Sequence, residues 1–218
     1  MAYKAIIAGA SGLIGSYLLN LLLQHADYDE VVILVRKELP VQHKKLLQVV
    51  VDYDDLSAHK QLITGHVVFC CLGTTKAKTP DESEYRKIDH DYPLLLAQLA
   101  ANNGVKHYHL VSAIGADSKS GNFYLKTKGE AEEGIFKTNI ASRHIYQPSL
   151  LTGDRKEPRL AEKIFTVLMK VFNPLLIGGL KKYRSILALT VAQAMVNQSL
   201  NNEEGVFIHP SDKIKQLA

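Results

Sequence analysis

The sequence predicts an α/β fold with a doubly wound parallel sheet, on three observations. Short β-rich apolar runs alternate with longer helical patterns along the first 150 residues. The strand segments are hydrophobic nearly throughout instead of alternating, as strands covered on both faces are. The first of them runs through a glycine-rich turn straight into an apolar helix, the unit from which such sheets are built.

Residues 3–8 (YKAIIA) read as the first strand and 13–25 as the first helix. Further strands are expected at 30–35 (EVVILV), 46–51 (LLQVVV), 66–72 (HVVFCCL), 107–113 (HYHLVSA) and 142–147 (SRHIYQ). Helices are expected between them at 55–63, 83–103 and 122–138. After residue 150 the rhythm changes. Pro158 suits the first turn of a helix running to about Phe172, and Pro174 with Gly178 and Gly179 breaks the chain. A second apolar helix pattern follows at 186–200, GVFIHP (205–210) reads as a late strand, and Ser211 as the cap of a short last helix. Residues 1–218 are therefore expected to form one Rossmann-type domain. Residues from about 150 to 218 would be a small cap on the substrate side, over the carboxyl ends of the strands.

Composition narrows the class. With 46% hydrophobic and 22% charged residues the chain reads as an ordinary soluble protein. A net charge of +4 allows a small anionic ligand and falls short of the basic stripe of a nucleic-acid binder. Cys70 and Cys71 are adjacent, a poor geometry for a disulfide, and read as reduced core residues. The first residues lack the pattern of a signal peptide. The apolar stretch 164–180 is interrupted by Lys170, Asn173, Pro174 and a glycine pair, so it is expected to be a lid, a core helix or a homodimer surface and not a membrane span. The location expected on these grounds is cytoplasmic.

The glycine turn, AGASGLIGS, sits where a dinucleotide fingerprint must sit: after a strand, before a helix, with a second strand about 20 residues on. Gly9 would permit the tight turn, Gly12 would let the backbone approach pyrophosphate, and Gly15 would allow close helix–strand packing. Leu13 and Ile14 open the helix whose free N–H groups would face the phosphates, and Ser11 adds a hydroxyl. At the end of the second strand an NAD site places a carboxylate, whereas a 2′-phosphate needs a cation. Here ILVRKE places Arg36 and Lys37 there, which predicts NADP(H). Asp52, after the third strand, stands where an adenine contact is expected, and Gly73 ends the fourth strand with room for close approach.

The sharpest chemical signal is VSAIGADSKSGNFYLKTKGEAEE. Tyr124 and Lys128 are four apart in a helical segment, and Ser112 ends the strand before it. A free tyrosine has a pKa of about 10, a poor base at neutral pH, and a nearby ammonium favours its phenolate. Tyr124 could then exchange a proton with a substrate oxygen that Ser112 orients, while Lys128 reaches the nicotinamide ribose. This Ser…Tyr-x-x-x-Lys constellation resembles that of the short-chain dehydrogenases.

The segments GHVVFCCLGTTKAK, YRKIDHDY, VSAIGADSKSGNFYLKTKGEAE and YQPSLLTGDRKEPR together resemble the Tat-interacting-protein-type oxidoreductases, small atypical short-chain dehydrogenases that bind NADP(H). The resemblance implies an NADP(H) site at Gly9, Ser11, Gly12, Gly15, Arg36 and Lys37. It puts Leu72, Gly73, Ser112, Tyr124 and Lys128 beside the cofactor, with Arg155 a further contact. Two positions depart from the pattern: Ala113 stands where relatives carry a second serine, and Asp89 where many short-chain dehydrogenases place an assisting asparagine.

The expected activity is NADP(H)-dependent hydride transfer to or from a small carbonyl or alcohol substrate. An NADP(H)-sensing regulator without turnover and a nucleotide-sugar epimerase or dehydratase are the alternatives. His107 and His109 share one strand face without a cysteine or carboxylate cluster at ligand spacing, so they read as partly exposed strand residues and not as metal ligands. Lys181, Lys182 and Arg184 read as a solvated basic cluster.

Overall fold

The protein was analysed as a computed structural model, which describes residues 3–153 and 178–218. Its main sheet contains β1 (Tyr3–Ala8), β2 (Tyr28–Val35), β3 (Leu46–Val50), β4 (Val67–Cys70), β5 (His107–Val111), β6 (Ser142–Gln147) and β9 (Gly205–Pro210). They lie in the order β3-β2-β1-β4-β5-β6-β9 with every neighbouring pair parallel. The winding reverses between β1 and β4, and the crevice outside the carboxyl ends of those two strands is where such a sheet takes a ligand. This is the Rossmann arrangement expected from the sequence.

Alternation along the strands divides the core into two layers. Ala5, Ile7, Val67 and Phe69 pack under α1 (Leu13–Gln24), joined by residues of the later helices Ala188–Ser199 and Ser211–Leu217. Ile6, Ala8, Val68 and Cys70 pack on the opposite face with Leu96, Ala97 and Ala100 of the helix Tyr92–Asn102 and Ile135 of the helix Phe123–Phe136. Because both faces are covered, the strands carry apolar residues at consecutive positions. In α1, Leu18 and Leu22 are fully buried, each contributing roughly 1.5–3 kcal/mol.

The single helix expected at 83–103 is three pieces: α2 (Glu82–Arg86), a π-helical turn (Lys87–Asp91) and α3 (Tyr92–Asn102). The wider turn aims Asp89 inward, and such insertions concentrate at functional sites. Residues 53–62 form a 3₁₀ segment instead of an α-helix, and Cys71 and Leu72 lie past the end of β4. Next come α4 (Phe123–Phe136), capped by the Asn122 side chain on the Leu125 N–H, then α5 (Ala188–Ser199) and α6 (Ser211–Leu217).

The tail differs from a simple cap. β9 extends the sheet beside β6, and α5 packs on the α1 side. The short pair β7 (Leu151–Thr152) and β8 (Ile186–Leu187) lies after the end of β6, towards the carboxyl side. Ser211 opens α6 but does not cap it: its hydroxyl accepts from the Ser149 N–H at 2.7 Å, tying α6 to the end of β6. Pro158, Pro174, most of the 164–180 stretch and Arg155 lie outside the described residues. Among the described residues no helix is long and apolar enough to cross a membrane.

Candidate active site

Each glycine of the turn has a separate local reason. Gly9 has φ +87°, and a Cβ there would stand 2.6 Å from the Cys71 carbonyl oxygen. The turn therefore rests directly on the loop after β4, which brings Gly9 to Leu72. A Cβ on Gly15 would lie 2.2 Å from the Gly9 carbonyl oxygen, so helix and turn touch backbone to backbone. Gly15→Ala is expected to prevent the closed turn and leave little folded protein, read by circular dichroism and thermal melting; native-like stability would show that the turn can open without cost. Gly12 caps the start of α1 without a side chain, and among the described residues a Cβ there would meet only the Gly9 carbonyl oxygen within 4 Å, at 3.2 Å. The cradle is thus shaped by missing side chains, and it fits a dinucleotide pyrophosphate over the N–H groups of Leu13 and Ile14.

Beside it an open cavity of about 510 Å³ is lined by Ser11, Val35, Arg36, Lys37, Glu38 and Leu39. The two cations expected at the end of β2 thus share a cavity with Ser11 of the glycine turn, and both are exposed. Asp52 caps the 3₁₀ segment by accepting from the Asp54 N–H at 3.0 Å, so its carboxylate serves structure before any ligand. The next residue, Tyr53, is buried and donates its hydroxyl to the Leu34 carbonyl at 2.9 Å. Gly153 packs against Leu13 and Tyr17, which carries the segment after β6 across the start of α1.

At the other end of the crevice, Lys128 forms a buried ion pair with Asp89 at 2.9 Å. Asp89 is 1% exposed, and its second oxygen accepts from the Thr74 N–H at 2.8 Å. A Cβ on Gly73 would lie 3.5 Å from Asp89 Oδ1 and 3.7 Å from Lys128 Nζ. Gly9, Leu72, Gly73, Lys128 and Asp89 thus form one continuous line of contacts, from the glycine turn to α4. Burial opposes the charge on Lys128, but the Asp89 carboxylate, with smaller help from Tyr124, holds its pKa above the usual lysine range.

Tyr124 projects from the first turn of α4 and is 38% exposed. Partial desolvation raises the pKa of its phenol, Lys128 pulls it down and Asp89 pushes it up, with a net rise. The lowering expected from Lys128 alone is therefore outweighed.

Ser112 is where the sequence placed it, past the end of β5, but its hydroxyl is engaged. It donates to the Glu132 carboxylate, which also accepts from Gln147 Nε2 at 3.0 Å on both oxygens. Burial raises the Glu132 pKa, and the Ser112 and Gln147 hydrogen bonds oppose the rise. Sequence reasoning missed Glu132, although Tyr124, Lys128 and Glu132 stand at i, i+4 and i+8 on one helix face. It also missed Gly129, where a Cβ would be 2.2 Å from the Ser118 backbone nitrogen. The loop from Ser112 to Asn122 lies directly on α4 there.

The histidines correct another expectation. His107 and His109 are buried, not partly exposed, at 4% and 0%. They belong to an aromatic layer that crosses the sheet in register, Phe69 to His109 to His144 to Phe207, with ring centroids 4.9, 4.5 and 4.8 Å apart. Ligand atoms of His107, His109 and His144 lie within 4.8 Å of one another. However, His109 and His144 are stacked, with planes 16° apart. Imidazole binds metals through in-plane lone pairs, and in stacked rings these run side by side instead of converging.

A family model described as NAD(P)H-binding matches residues 9–162. The chain belongs to that family. It is 33% identical over 206 residues to the protein HTATIP2 of Rattus norvegicus, covering 93% of this chain and 83% of the relative. It is 30% identical over 231 residues to the mitochondrial protein FMP52 of Coccidioides immitis, covering 100% of this chain and 94% of the relative. The enzyme WbmH of Bordetella bronchiseptica, solved with NAD+, superposes with a TM-score of 0.74 at 16% identity, covering 97% of this chain and 76% of WbmH. The UDP-N-acetylglucosamine 4-epimerase of Methanobrevibacter ruminantium superposes with a TM-score of 0.70 at 16% identity, covering 96% and 76%. These two likenesses are to the fold. FMP52 proteins from several fungi, Saccharomyces cerevisiae among them, are named mitochondrial. That overturns the cytoplasmic location expected from the absence of a recognisable leader, because import signals need not resemble secretory ones.

Proposed function

We propose that this NAD(P)H-binding chain is an NADP(H)-dependent oxidoreductase that interconverts a small carbonyl compound and its alcohol, with Tyr124 as the general acid or base. The observation that carries the proposal is the anchored ammonium of Lys128, packed against Gly73 at the sheet's crevice and one helical turn from Tyr124. A bound nicotinamide would supply or accept the hydride. Gly9, Ser11, Gly12, Leu13, Ile14 and Gly15 would hold the pyrophosphate, and Leu72 and Gly73 would line the path to the reacting end. Lys128 is ion-paired with Asp89 at 2.9 Å and donates to the Val111 carbonyl at 3.5 Å, which leaves a donor for a ribose hydroxyl. Tyr124 exchanges the proton at the substrate oxygen. Ser112 orients that oxygen, subject to its bond to Glu132. Residues 1–218 would act as one unit, the histidines serving the core and not a metal, and Arg155 adding a cofactor contact.

The open cavity shared by Ser11, Arg36 and Lys37 supports NADP(H) over NAD(H). Arg36→Ala is expected to weaken NADPH by roughly 10–100-fold, the scale of a charge-assisted contact, and to leave NADH unchanged in a fluorescence titration. Equal affinities for the two nucleotides in the unmodified protein would remove the role given to Arg36. A panel of aldehydes and ketones followed by NADPH consumption, with Tyr124→Phe as control, tests the reaction class. The epimerase likeness supports a second reading, in which the nucleotide stays bound and returns the hydride to the same sugar. Interconversion of UDP-sugars without net NADPH consumption would favour it.

A further inference from the structure

Asp89 is the group that the proposed reaction leaves unexplained, and it sits against the one charge on which that reaction depends. Its carboxylate is locked by the Thr74 N–H at 2.8 Å and by Lys128 Nζ at 2.9 Å, and the π-helical turn at Lys87–Asp91 fixes its backbone. An asparagine here would leave Lys128 a bare cation beside the phenol. An aspartate closes the pair. At 2.9 Å separation the two charges act on a more distant group as a dipole, whose field falls faster than that of a single charge.

We infer that Asp89 is a positioning residue that neutralises Lys128 and thereby sets Tyr124 as a proton donor, so that the site is built for carbonyl reduction with NADPH and not for alcohol oxidation near neutral pH. The inference rests on the oxidoreductase reading above and adds a direction to it. Both members of the pair are buried, at 1% for Asp89 and 6% for the Lys128 side chain, so water screens neither. Among the described residues, the charged groups acting on Tyr124 are Lys128 from its own helix and Asp89 from the π turn. Of the neighbouring charges, Lys76 lies over the Phe123 ring and pairs with Glu82, and Glu132 is turned to Ser112 and Gln147. Tyr124 is 38% exposed, so after donating its proton it can be recharged from solvent without a relay through Lys128.

The test is an ultraviolet titration of the apoprotein, taking Tyr124 as the difference between the unmodified protein and Tyr124→Phe. Tyr124 is expected to be protonated at neutral pH. Asp89→Asn should lower its midpoint by roughly 1–3 pH units and Lys128→Met should raise it, the scale of one neighbouring charge. The double variant Asp89→Asn/Lys128→Met removes a neutral pair and should return the midpoint close to the unmodified value. It also removes the unpaired buried charge that could unfold either single variant. An ionised Tyr124 at neutral pH, an unmoved midpoint in Asp89→Asn, or a double variant that stays shifted would overturn the inference. None of these readouts needs turnover. If Tyr124→Phe leaves turnover intact, the proton-transfer role given to Tyr124 in the oxidoreductase reading falls whatever the titration shows. If Tyr124→Phe stops turnover and the midpoints fail to move, only the role of Asp89 falls.

Discussion

Tyr124→Phe is expected to lower turnover by roughly 10²–10⁴-fold, the usual scale for loss of a positioned proton donor or acceptor, with nucleotide affinity unchanged. The phenol oxygen is the only atom removed, and the ring is 38% exposed, so no core contact is lost with it. α4 keeps its Asn122 cap and its Arg86–Glu130 ion pair to α2, and Lys128 keeps Asp89. Stability should therefore stay within about 0.5 kcal/mol, as for a surface change. Steady-state NADPH oxidation with the best carbonyl of the panel reads the first quantity, a fluorescence titration the second and a thermal melt the third. Full turnover in the variant would sink the proton-transfer role. Lost nucleotide affinity would mean instead that the hydroxyl belongs to the binding site and not to the chemistry.

The parts of this site that could be read from the sequence are those set by local rules. Gly9 and Gly15 were legible because a turn that touches Cys71 and a helix that touches Gly9 have no room for a side chain. Tyr124 and Lys128 were legible because four residues make one helical turn. Asp89 was visible as a residue type but not as a partner. The pattern expected at 83–103 was one continuous helix, and a π turn leaves no periodicity that announces it. Glu132 was hidden for another reason. An acidic residue on a helix with charged neighbours reads as solvent-facing, and only the placement of Ser112 just past β5 and of Gln147 at the end of the adjacent β6 turns it inward. The engagement of Ser112 followed from the same long-range fact. The location failed differently, since the absence of a secretory pattern says nothing about other routes.

Mild acid should unfold this protein, and the histidine layer is the reason. Burial holds His107 and His209 down to about 4 and His144 to about 3, and puts His109 well below its ordinary value. Like-charge repulsion adds to burial among them: His66 and Lys106 act on His107, Lys213 on His209, and His209 and His107 on His144. Neutral rings of the layer hydrogen-bond to their neighbours, as His144 Nδ1 does with His209 Nε2 at 3.0 Å and His109 Nδ1 with the Tyr146 hydroxyl at 3.1 Å. In the unfolded chain each titrates near 6.5. Below that pH the unfolded state binds protons that the folded state refuses, so stability is complete above about 6.5 and falls as the pH drops towards about 4. At about pH 5 a histidine held at about 4 accounts for a loss of about 2 kcal/mol. Two or three such residues would remove much of the 5–15 kcal/mol available to a domain. Urea unfolding at a series of pH values should show the midpoint falling steeply between about pH 7 and 5. His107→Phe is the clean variant, because His107 packs on His66 with centroids 4.6 Å apart and makes no side-chain hydrogen bond among the described residues. Its slope should be shallower, by about 2 kcal/mol over the same interval. A midpoint that does not move with pH would mean that the layer already carries protons in the folded protein, and that its stacked rings are not the neutral ladder their burial requires.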